Sequence, residues 1–164
     1  MWFRHKPKGD PADAVRSLRE QALTVGAAEL GLAPTAARPH VWGVLMETGY
    51  SEAVATLVVL ADGTTSLYFS NGGGIIGGGQ HAIVRAAAEA FLSAAEDQHS
   101  DLAEALATPL PELGEVKFYV RTYNGTLGAG ANEQDLGESR HHLSPLFHAG
   151  HAVIDAVREF ATSR

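Results

Sequence analysis

Two apolar, β-branched runs, Val54–Ala61 and Thr64–Ser70, are joined by Asp62-Gly63. Asp-Gly between such runs is the strongest short-range signal for a β-hairpin. Pairing across a two-residue turn sets Leu60 opposite Thr65, Val58 opposite Leu67 and Thr56 opposite Phe69. The other face then carries Leu57, Val59 and Tyr68. Side chains alternate along a strand, so both faces of this hairpin are partly apolar and both need cover. That need constrains the fold more than any other feature. It calls for helices packed on the sheet, and it is the argument for a homodimer.

The rest of the chain supplies those helices. Asp10-Pro11 is a helix start, with Asp as cap and Pro at the first helical position, and the helix runs to about Leu23. A weaker helical patch follows at 27–30. A second main helix is expected from Gln80 to about Asp97, with Val84, Ala87, Ala88, Phe91 and Ala95 as its apolar stripe and Arg85, Glu89, Ser93 and Glu96 as its wet face. Ser144-Pro145 opens the third, whose Leu146, Gly150, Val153, Val157 and Phe160 face inward. A short helix is expected at 102–107.

Val41–Met46 and Val116–Tyr123 read as strands, and Asn124-Gly125 returns the latter through Thr126–Ala129. The expectation is an α+β fold: a five-stranded antiparallel sheet with three main helices, in the order α-β-β-β-α-β-β-α. The 164 residues form one domain, with 1–9 as a loose arm.

Charge and cysteine usage narrow the function classes. The net charge of −7 repels phosphate backbones and argues against nucleic-acid partners. No apolar run approaches the roughly 18 residues of a membrane span. There is no cysteine, which removes disulfides, thiolate metal sites and a cysteine nucleophile. Met1–Lys6 lacks the apolar core of a secretory signal, so a cytoplasmic location is expected.

Three stretches carry chemistry. In Asn71–His81, six of the chain's 18 glycines fall within residues 72–79. Each costs roughly 0.5–1 kcal/mol against alanine. One reading is an anion cradle at a helix start, made by Gly77, Gly78 and Gly79 with His81 and Arg85 one turn apart. The other, which the sequence favours, is a strained strand-to-helix connection with Ile75 and Ile76 tucked into the core. Gly72-x-Gly74-x-x-Gly77 matches a dinucleotide fingerprint formally, but no βαβ unit surrounds it, and no Lys-Ser or Lys-Thr follows as a P-loop needs. No cofactor is expected.

On the last helix, His148, His151 and Asp155 share a face and are weak candidates for a metal site, needing a further ligand such as His141 or His142. The reading the sequence favours for them is a solvated polar face. On Val116–Tyr123, the residues Lys117, Tyr119, Arg121 and Tyr123 face away from Val116, Phe118 and Val120. The expected pairing sets Tyr123 opposite Thr126, Arg121 opposite Gly128 and Tyr119 opposite Gly130. Aromatics and cations over bare glycines make a candidate interface.

The wording of Val41–Tyr50, of LADGTTSLYFSNGGGIIGGG and of Phe118–Gly150 resembles a family of uncharacterised bacterial proteins, which implies no activity. Element order, size and acidity are similar to type III secretion chaperones. That likeness implies a homodimeric, non-catalytic module that binds other proteins. The expected function is therefore an adaptor or chaperone-like module, with a small anionic-ligand protein or enzyme built on residues 71–81 as the alternative.

Overall fold

A computed structural model describes residues 10–77 and 81–162; the expected arm at 1–9 lies outside the described residues. The chain forms α1 (Pro11–Thr24), β1 (Val41–Gly49), β2 (Val54–Leu60), β3 (Thr65–Phe69), β4 (Gly74–Ile76), α2 (Ala82–Gln98), β5 (Ala103–Glu104), β6 (Glu115–Thr122), β7 (Gly125–Asn132), α3 (Glu133–Gly137) and α4 (Ser144–Thr162). Short 3-10 turns follow α1 and α2. The fold is α+β, with one sheet in the order β4-β3-β2-β1-β6-β7-β5 and every paired strand antiparallel to its neighbour.

The five expected strands are present, and β4 and β5 extend the sheet at its two edges. Asp10 caps α1 through the Ala12 N–H at 3.0 Å. The expected helix at 102–107 does not form. Ala103 and Glu104 pair with Gly128 and Leu127, and the Ala105 N–H donates to Thr126 O at 2.9 Å. Strand pairing outweighs the helix propensity of alanine, leucine and glutamate there. The five-residue helix α3, capped by Asn132, was not expected.

Both hairpin registers differ from expectation. The first turn is longer than two residues: Leu60 N–H donates to Thr64 O and Gly63 sits at φ +101°. Val59 therefore pairs with Thr65, Leu57 with Leu67 and Thr56 with Tyr68, a slip of one residue that moves Leu67 to the face of Leu57 and Tyr68 to the face of Val58. In the second hairpin Thr122 pairs with Gly125, so Arg121 faces Thr126 and Tyr119 faces Gly128. That slip is two residues, so each side chain keeps its face.

The sheet is covered on both sides. Val44, Met46, Leu57, Val59, Leu67, Phe118 and Val120 form a core with Phe91 and Leu92 of α2 and Leu146, Val153 and Val157 of α4. Trp42, Leu45, Val58, Leu60, Tyr68 and Tyr119 form a second, smaller core with Ala22, Val15 and Leu18 of α1. Gly150 lets α4 approach, since a Cβ there would lie 2.7 Å from Met46 Sδ.

Candidate functional site

The glycine tract is an edge of the sheet before it is a loop. Gly74 pairs with Tyr68 and Gly72 turns at φ +106°, where a Cβ would lie 2.5 Å from Pro11 Cβ. Part of its glycine content thus seats the start of α1. Gly77 also has a positive φ, of +95°. Gly78, Gly79 and the side chains of Ile75 and Ile76 lie outside the described residues. His81 is exposed just before α2, with its ring centroid 5.0 Å from that of Phe160. Arg85 lines a depression of about 250 Å3 with Asp62, Gly63, Thr65 and Glu89. Two carboxylates share it with one guanidinium, so its charge does not select an anion.

The candidate interface on β6 is for the most part interior. Tyr119 and Arg121 are only 3% and 8% exposed, because α1 and residues 105–109 lie over them. Arg121 donates to Ala22 O at 2.6 Å and Val25 O at 2.7 Å, and its guanidinium lies 4.5 Å from the Trp42 ring centroid. It thereby occupies carbonyls at the end of α1. Burial lowers its pKa. The Tyr119 hydroxyl donates to Pro109 O at 2.5 Å, and burial, with Glu47 nearby, pushes its pKa up to about 12. Lys117 lies 3.6 Å from Glu115, and Tyr123 packs partly buried on the smaller core. The expectation of an open docking face at Tyr119 and Arg121 is corrected: alternation gave the right face, but nothing local says that α1 covers it.

Exposed apolar surface lies instead on the strap that leads from β5 to β6. Leu106 is 89% exposed, Leu113 74% and Leu110 49%. Two depressions flank this strap. One of about 270 Å3 is lined by Glu104–Ala107, Pro109, Lys117, Tyr119 and Gly128–Gly130. The other, of about 320 Å3, is lined by Glu112–Glu115 and Gly130–Asn132. They share Gly130. Beyond Gly128, β7 has no strand on its outer side among the described residues.

Comparison with protein-family models, curated proteins and solved structures gives no match.

The histidines of α4 do not converge. His148 Nε2 lies 3.1 Å from Ser139 Oγ, and the His151 ring packs 4.4 Å from Phe147. Among the described residues, the three-donor group whose atoms converge within 4.8 Å is His40, Glu96 and His99. Glu96 is therefore not part of a wet face. Its side chain is 11% exposed, and Oε1 accepts the N–H groups of His40 at 3.0 Å and Val41 at 2.9 Å. Burial alone raises such a carboxyl, but these donors and the His40 ring outweigh it and hold the pKa below its usual range. Helical periodicity put Glu96 off the apolar stripe, but the expectation of a wet position is corrected. It did not show that the segment before β1 passes over that part of α2.

Proposed function

We propose that this chain is a non-catalytic binding module that docks a basic, apolar segment of another protein against the strap between β5 and β6. The observation that carries this reading is Leu106, a leucine 89% exposed, with Leu113 and Leu110 in the same segment. Clustered exposed apolar residues mark docking sites, whereas scattered ones need no explanation. Glu104 and Glu112 are exposed around them, and Glu115 is partly exposed. A partner with lysine or arginine beside its apolar residues complements that rim, and the net charge of −7 favours its approach. The free outer edge of β7 past Gly128 offers main-chain groups to an extended segment, the mode in which a peptide adds a strand. A second copy is the weaker occupant, because an isologous contact here sets one acidic rim against another.

Fluorescence anisotropy with two short labelled peptides, one alternating valine and lysine and one alternating valine and glutamate, tests the reading. The lysine peptide should bind, weaken as salt rises and fail to bind a Leu106→Ser, Leu113→Ser double variant. The glutamate peptide should not bind. Both substitutions are at exposed positions, so stability should stay within about 0.5 kcal/mol of the parent. Equal binding of both peptides, or unchanged binding by the double variant, overturns the proposal. Dimerisation abolished by the double variant would give the strap to a second copy instead.

A further inference from the structure

We propose that His40, Glu96 and His99 form a three-donor site for a divalent transition ion of the zinc class. The site sits where the segment entering β1 crosses the end of α2, on the far side of the sheet from α1, so it is independent of the strap.

The argument starts with the carboxylate. Glu96 Oε1 is taken by two backbone N–H groups, which fixes the side chain and turns Oε2 toward the two imidazoles. Oε2 lies 2.8 Å from His40 Nδ1 and 3.6 Å from His99 Nδ1. Zinc bonds of 2.0–2.1 Å in a tetrahedron place its ligands about 3.3 Å apart. The two measured separations bracket that value, and the three donor atoms all lie within 4.8 Å of one another. The rings are stacked, with centroids 4.3 Å apart and planes 23° from parallel, so one ring must turn out of the stack before both nitrogens point at one ion.

Protonation is compatible with this. His99 Nδ1 lies 2.7 Å from Glu96 O, and a carbonyl only accepts, so Nδ1 carries the proton in the apo form. On binding, each ring offers the lone pair of a deprotonated Nδ1 to the ion, with its remaining proton on Nε2. The ion's charge is met by the Glu96 carboxylate. Arg38, two residues before His40, is held by Glu89 at 2.7 Å. Two nitrogens and one carboxylate oxygen are the donor set of open zinc sites, in which water takes the fourth position. His40, with its side chain 49% exposed, provides access.

The test is calorimetric titration of the full chain with zinc chloride, repeated with cobalt(II) to read coordination from its visible spectrum. One ion per chain should bind, raise the melting temperature and give the intense cobalt bands of four-coordination. His40→Ala and His99→Ala should each weaken binding at least about tenfold. A His148→Ala, His151→Ala double variant should bind as the parent does. Circular dichroism checks folding, and His99→Gln serves if His99→Ala does not fold. No saturable binding, binding indifferent to His40 and His99, or loss only in the α4 double variant overturns the proposal.

Discussion

Glu47 has no exposed surface and lies in the middle of the sheet. Arg19 of α1 meets it with two bonds, Nε to Oε2 at 2.6 Å and Nη2 to Oε1 at 2.8 Å, and Thr56 donates to Oε2 at 2.6 Å. Removing one partner of a buried pair leaves an uncompensated charge, which costs about 3–5 kcal/mol. Arg19→Met should show that loss in urea denaturation at neutral pH, and an Arg19→Met, Glu47→Leu double variant should regain most of it. His151 sets a pH dependence of its own. Burial lowers its pKa from 6.5; Asp155 and Glu133 oppose that, and His148 and Arg158 add to it. The fold therefore favours the neutral ring. Its contribution is full above pH 6.5 and is lost as pH falls from 6.5 through the folded-state pKa. His151→Gln should flatten that slope. Glu96 acts in a lower window: its depressed pKa contributes stability above pH 4.5 that is lost as pH falls through the folded value, so Glu96→Gln should flatten only the acid limb.

At the scale of elements, Gly49 fastens the strap. It accepts from the Gly114 N–H at 2.9 Å, and a Cβ on Gly49 would lie 2.0 Å from the backbone oxygen of Glu112. Gly49→Ala must push the strap away, and a loss of about 1–3 kcal/mol with faster proteolysis near Leu113 is the expected result. Element type was legible in the sequence wherever one period ran long. The stripe Val84–Ala95 and the Val54–Ser70 runs gave α2, β2 and β3 because burial repeats at 3.6 or 2 residues. Register was not, because turn length depends on where Gly63 and Gly125 take positive φ. The strap was misread for a related reason: its local composition favours helix, while its conformation is set by β7, more than twenty residues later. The interface residues on β6 were placed on the right face and given the wrong neighbour. The group of His40, Glu96 and His99 was missed because His40 lies 56 residues before Glu96, a separation no periodicity reports, although Glu96 and His99 stand only three apart.

For the whole molecule, the two-sided apolar hairpin finds its cover within one chain, α2 and α4 on one side and α1 on the other. Sedimentation at micromolar concentration should therefore give the 17.3 kDa monomer, and a concentration-dependent doubling would return the second copy to consideration. The fastening of α1 also has a consequence for synthesis. Its first tether, Glu47, lies 28 residues beyond Arg19, but the guanidinium that closes its C-terminal end belongs to Arg121, 99 residues beyond Ala22. α1 has no basic residue of its own in its last turn. At about 5–20 residues per second, the ribosome delivers that clasp on the order of 5–20 s after the helix it closes. A nascent chain halted before residue 121 should thus carry α1 hinged at one end, with its C-terminal turn open to a protease or a chaperone that the finished protein excludes.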